Sequence, residues 1–165
     1  MDGSITIIGK KKKNKSEPIL IPEKIKNFPV KRIGDYAFRS EYLGKGEEET
    51  IILSKDIEVI GVGAFKHYKG EVNINEKISI IGEEAFFQCN KCPSRVGAKS
   101  AYLLRLPKTV ERIEKCAFVG CTFSLLIPGT IYFIGAFAFY KMGGIKQEAS
   151  YSWKKILPRN LFYGL

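Results

Sequence analysis

The side chains of this sequence that could carry chemistry are four cysteines, one histidine and one run of lysines. Cys89 and Cys92 form a Cys-x-x-Cys pair, and Cys116 and Cys121 follow with four residues between them. Two such pairs have the makings of a zinc site or a redox disulfide. Against both, Cys89 and Cys121 each fall four residues after an alanine that recurs along the chain, while Cys116 sits on the other side of its alanine, directly before Ala117. A free buried cysteine behaves as a small hydrophobe. The expectation is therefore structural thiols, with Cys89 and Cys121 stacked for packing. A disulfide, through Cys92 or within the Cys89 and Cys121 stack, and a metal site stand as the alternatives.

His67 is the only histidine, so it has no second imidazole to share a metal or a proton with. No Gly-x-Ser-x-Gly, His-Glu-x-x-His or phosphate-cradling glycine loop occurs, and Gly143 and Gly144 are only a pair. Catalysis needs several placed groups. No catalytic residue, cofactor, metal ligand or small-molecule substrate is expected.

The lysine run is Lys10, Lys11, Lys12, Lys13 and Lys15. It suits a polyanion such as an acidic glycan or nucleic acid. It suits equally a solvated loop whose charges keep an edge strand from unwanted pairing. The net charge of +10 is unevenly spread: residues 88–165 hold 12 cations against 3 anions, whereas residues 51–87 hold 4 against 6. That imbalance could attract anionic partners, or simply solvate one face of the protein.

What must position these groups is a tandem array. Nine residues recur as Val30 to Phe38, Ile57 to Phe65, Ile78 to Phe86, Val110 to Phe118 and Ile131 to Phe139. Their shared form is aliphatic, two variable, Ile, usually Gly, two variable, Ala, Phe. The alanines Ala37, Ala64, Ala85, Ala117 and Ala138 are 27, 21, 32 and 21 residues apart. The basic unit is thus 21, and the additions, within Ser40 to Thr50 and Asn90 to Tyr102, must emerge as loops because a stacked core cannot absorb them.

Upstream of the nonapeptides lie Ile51 to Leu53, Val72 to Ile74, Leu104 to Leu106 and Leu125 to Ile127, closed by the turn formers Ser54, Asn75, Pro107 and Pro128. Period two makes these strands with Ile51, Leu53 and their equivalents facing the core. The opposite face then presents Leu20, Ile52, Asn73, Arg105, Leu126 and Ile156 as an outward ladder. The Gly-x-x-Ala-Phe segment suggests a glycine turn and then a short helical or 3₁₀ turn. Glu114 replaces that glycine in the fourth copy, which predicts a local distortion if the other four use positive φ. Tyr42, Tyr68, Tyr102 and Tyr132 are the tyrosines placed as exposed contacts.

The organisation is one domain: residues 1–29 as an N-terminal cap with first strands, 30–140 as five units, and 141–165 as a degenerate unit or cap. Strands are expected within Met1 to Ile8 and at Pro18 to Pro22. Lys141 to Ser152 reads as a connector, and Leu157 to Leu165 as an interrupted sixth unit. Apolar residues are 45% of the chain. No apolar run approaches the ~18 residues of a membrane span. The opening MDGSITIIGKKKKNK reverses the order of a secretory signal, so none is expected in the chain as given.

The units Leu106 to Cys121 and Ile127 to Phe139 resemble the BspA-like leucine-rich repeats, whose unit runs roughly IPxxVxxIGxxAFxxCxxL. The resemblance covers about residues 2–140. It implies an α/β, right-handed leucine-rich-repeat solenoid, with parallel strands on one side and short helical or 3₁₀ turns on the other. It also implies a recognition surface in secreted or cell-surface proteins, some of them adhesins for host matrix proteins. The family's cysteine position is filled only by Cys89 and Cys121, and the two insertions are this chain's own. The expected function is protein recognition through Ile52, Asn73, Arg105 and Leu126, with Tyr42 and Tyr102 on the loops. Polyanion binding through Lys10 to Lys15 and a structural spacer are the alternatives.

Overall fold

A computed structural model describes residues 3–9, 17–41, 49–89 and 103–147. Each nonapeptide builds one coil of a stack, and among the described residues thirteen short strands carry the coils. They are β1 (Ile5–Ile7), β2 (Ile19–Leu20), β3 (Lys24–Ile25), β4 (Phe28–Ile33), β5 (Ile51–Ile52), β6 (Val59–Ile60) and β7 (Val72–Asn73), followed by β8 (Ile80–Ile81), β9 (Leu103–Arg105), β10 (Arg112–Ile113), β11 (Ser124–Ile127), β12 (Phe133–Ile134) and β13 (Gly144–Gln147).

The longest sheet comes from β1 and the nonapeptides, in the order β1-β4-β6-β8-β10-β12, every neighbour parallel. In register, Ile33, Ile60, Ile81, Ile113 and Ile134 form one column, all buried. The upstream segments form the second side of the stack, divided into β2-β5-β7 and β9-β11-β13. Ile51 and Leu53 are buried, as the period of two requires.

The stack is held by one aromatic column. The rings of Phe38, Phe65, Phe86, Phe118 and Phe139 lie face to face at centroid separations of 5.6, 5.3, 5.3 and 6.1 Å. All five side chains are buried. The aliphatic columns surround them in a single core. Burying an apolar side chain of this size contributes about 1.5–3 kcal/mol, so a phenylalanine at a fixed place in each coil gives every coil a reason to sit on the next.

The expected helical side is not there: no α-helix or 3₁₀-helix occurs among the described residues, only single hydrogen-bonded turns. In the first coil, the amides of Tyr36, Phe38 and Ser40 donate to Val62, Ala64 and Lys66 of the next coil, while Ala37 and Arg39 donate back to Gly34 and Tyr36. A helix needs consecutive amides bonded within itself. Here every second amide is taken by the neighbouring coil, and the second, third and fourth coils repeat the pattern. The residue before each alanine also breaks a helix, because Tyr36, Gly63, Glu84, Cys116 and Phe137 all hold φ between 53° and 57°.

The repeating glycine has another purpose than the one expected. Gly34, Gly61, Gly82 and Gly135 are not among the residues with positive φ. A Cβ on Gly82 would stand 2.7 Å from the carbonyl carbon of Gly61 and 2.8 Å from its oxygen. The glycine lets two backbones approach. The premise for a distortion at Glu114 therefore fails, and its amide bonds Ile81 O at 2.9 Å, in step with Gly82 to Ile60 at 2.8 Å.

At the N-terminal end β3 folds back on β4 as an antiparallel hairpin, Lys24 opposite Pro29 and Ile25 opposite Phe28. Its two-residue turn is Lys26 and Asn27, both at positive φ (48° and 68°). A twist-matched hairpin turn demands that pair of angles. At the other end β13 pairs with β11, Leu125 opposite Ile145. The stretch read as a connector thus contains a strand of the next coil. Leu157 to Leu165 and Ile156 lie outside the described residues.

Candidate recognition surface

The outward ladder forms on the second side of the stack, but in two pieces. Leu20 lies opposite Ile52, and Ile52 opposite Asn73. Arg105 lies opposite Leu126. Leu20 and Arg105 are exposed, and Ile52, Asn73 and Leu126 half-buried. Among the described residues β7 and β9 do not pair, so the predicted row of four separates into Ile52 with Asn73 and Arg105 with Leu126. The division falls at the longest insertion. The long sheet runs on past it, Ile80 opposite Arg112 and Ile81 opposite Ile113. Tyr42, Tyr102, Cys92 and Lys10 to Lys15 lie outside the described residues.

Tyr68 is not an exposed contact. Its relative exposure is 1%, its ring stands edge-on to Phe65 at 6.0 Å, and its hydroxyl donates to Glu49 O at 2.6 Å. It fills, four residues after Ala64, the place that Cys89 and Cys121 fill in later coils, a position read from the cysteines alone. Tyr132 is exposed, as expected.

The long sheet offers a second outward row that the sequence reading did not identify: Arg32, Val59, Ile80, Arg112 and Phe133 in register. Two residues of strand per coil are too short for alternation to show. The Arg112 guanidinium lies 4.2 Å from the Phe133 ring centroid and 5.9 Å from that of Tyr132. It also gives Glu114 Oε1 two hydrogen bonds, of 3.0 and 2.8 Å. Bonds to Glu114 and Tyr132 raise its pKa further above the usual arginine value. Flanking charges are paired across coils, Lys31 with Glu58 at 3.0 Å and Lys115 with Glu83 at 3.4 Å. Asp35 accepts from the Val62 amide at 2.9 Å and from Arg32 at 2.8 Å, and these bonds lower its pKa below the usual aspartate value.

The thiols act as packing groups. Cys89 Sγ donates to Phe65 O and Cys121 Sγ to Phe86 O, each at 3.0 Å, and both side chains are buried. Each joins its coil to the previous one at the same point. Among the described residues no disulfide joins Cys89, Cys116 and Cys121, and no group of three or more His, Cys, Asp or Glu stands close enough to hold a metal. Burial raises the pKa of Cys116. Among the described residues no helix is long and apolar enough to cross a membrane.

Short parallel strands stacked coil on coil around a phenylalanine column define a repeat solenoid. The BspA type leucine rich repeat region matches residues 31–96 and 97–164 in six copies. The chain belongs to that family of leucine-rich repeat proteins. Of solved structures, the pneumococcal vaccine antigen PcpA matches at 17% identity and a TM-score of 0.55 over 88% of this chain and 44% of its own. A leucine rich cell surface protein from Faecalibacterium prausnitzii A2-165 matches at 18% identity and a TM-score of 0.43, over 90% of this chain and 52% of that one. This chain thus spans about half the length of either protein or less. No curated protein sequence matches it.

Proposed function

We propose that this chain is a non-catalytic protein-recognition module, presented outside the cell as part of an adhesin-type surface protein. Its proposed contacts are Ile52 with Asn73 and Arg105 with Leu126, joined by Tyr42 and Tyr102 on the inserted loops. The observation that carries this reading is the separation of roles within each coil. The phenylalanine and the aliphatics, with Tyr68, Cys89 or Cys121 in the middle coils, supply the core, and one position per strand faces outward in register whatever its type. A half-apolar row of this kind suits a protein contact with a desolvated centre and a polar surround. The surface location rests on the family's habit and on the likeness to a vaccine antigen.

The second reading, polyanion binding, is favoured by the charge of residues 88–165, 12 cations against 3 anions. Ionic strength separates the two. Phosphate or sulfate contacts weaken steeply with salt because binding releases counterions, whereas a desolvated protein contact is weakly screened. Capture from matrix and cell-surface extracts at two salt concentrations, with the intact chain and with Asn73→Ala/Arg105→Ala, is the test. Loss of the captured protein in the variant at both salts is the expected result. Capture by the variant equal to that by the intact chain, abolished by high salt in both, would refute recognition through the ladder.

A further inference from the structure

We propose that the edge where the turn of the second coil (residues 61–68) meets that of the third (82–89) is an acid-sensitive latch, closed while His67 is neutral and loosened when His67 takes a proton. The inference begins with number. The chain has one histidine. Between pH 5.5 and 7.5 ordinary carboxylates stay ionised and lysines stay charged, so an imidazole is the side chain that titrates there.

The surroundings of that imidazole decide the direction. His67 holds φ at 60°, and its amide donates to Phe87 O of the third coil at 2.9 Å. Its ring meets the Phe87 ring edge-on, with centroids 5.6 Å apart and planes at 89°. Lys66 Nζ lies 4.7 Å from the Phe87 centroid and pairs with Glu84 Oε2 at 2.7 Å, both side chains being mostly buried (20% and 28% exposed). Among the described residues, the charges that act on His67 are Arg39 from the first coil, Lys66 and Lys69 from its own, and Glu84 from the third. That is three cations against one anion. A proton on His67 adds a fourth positive charge beside a half-buried ion pair, where screening is weaker than in open water.

Burial, then Lys66 and Arg39, hold the imidazole pKa below its usual value. The sign follows from that depression. The unfolded chain takes up the proton first as pH falls through ~6.5, so the folded state loses stability on acidification until its own lower pKa is passed. The effect is confined to one junction. Four residues after the left-handed residue of later coils stand Gln88, Gly120 and Lys141, none of which changes charge in this range.

The test compares the full chain with His67→Gln at pH 7.5 and 5.5, by amide hydrogen exchange corrected for the intrinsic pH dependence. In the wild type, residues 63–68 and 84–88 are expected to lose protection at pH 5.5 several-fold, while residues 116–121 do not. In His67→Gln the loss should vanish. Equal losses in both proteins, or a loss spread evenly over all turns, would overturn the proposal. Should His67→Gln fold poorly, an NMR titration of the His67 ring in the wild type decides: a pKa below ~6.5 supports the latch and one at or above it refutes it.

Discussion

Removing one ring from the middle of the stack is the sharpest perturbation of the account. Phe86 is 1% exposed and has a parallel ring at 5.3 Å on each side, Phe65 and Phe118. Phe86→Ala removes its transfer free energy and leaves a cavity that the stacked backbones on either side cannot close, a loss of about 3–5 kcal/mol. Domains of this kind are stable by about 5–15 kcal/mol. The variant therefore gives up a large share of its stability, and its thermal midpoint should fall by roughly 6–20 °C. Phe38 is the internal comparison, since among the described residues it is stacked on one side only, by Phe65 at 5.6 Å. Each stacked pair adds about 0.5–1.5 kcal/mol beyond area burial, so Phe38→Ala should cost less by about that amount. Urea denaturation of both variants supplies the numbers. A loss below about 1.5 kcal/mol at Phe86, or a larger loss at Phe38 than at Phe86, would refute the reasoning.

Gly82→Ala places a Cβ 2.7–2.8 Å from the Gly61 and Ile60 backbone. It should cost about 1–3 kcal/mol by overpacking, measured by the same denaturation. Cys116→Gly removes a non-glycine residue from φ 57°. It should leave stability unchanged or raise it by up to about 1 kcal/mol, and a clear loss would count against backbone strain at that position. Asp35 is held ionised by the Val62 amide and Arg32, so its contribution is present above its unfolded pKa near ~3.9 and lost as pH falls through its lower folded value. Asp35→Asn should accordingly flatten the acid limb of the stability profile below about pH 4, while an unchanged limb would count against the Val62 bond.

The parts of the fold that were legible in the sequence are those in which a side chain's own chemistry sets its place. Phe65, Phe86 and Phe118 recur at one position and stack, and Ile51 and Leu53 alternate into the core. The parts that were hidden are set by the neighbouring coil. Tyr36, Glu84 and Cys116 share a left-handed backbone but no side-chain type, because the bonds to the next coil impose the angle. Gly82 reads as a turn residue, and its actual constraint, the Gly61 backbone, is far away in sequence. The burial of Tyr68 is hidden for the same reason, since its hydroxyl partner is the carbonyl of Glu49, 19 residues away within the first inserted stretch. The division between β7 and β9 also had no local signal, although the 32-residue spacing marked the place where it falls.

Solution NMR of the intact chain bears most directly on the claim that equivalent residues of successive repeats stand next to one another in one continuous stack. Ring-to-ring contacts should link Phe65 to Phe86 and Phe86 to Phe118, pairs 21 and 32 residues apart, and none should link Phe65 to Phe118. Absence of the two neighbouring contacts, or strong contacts that skip a coil, would contradict the stack and with it the ladders of outward residues on which recognition is proposed to depend.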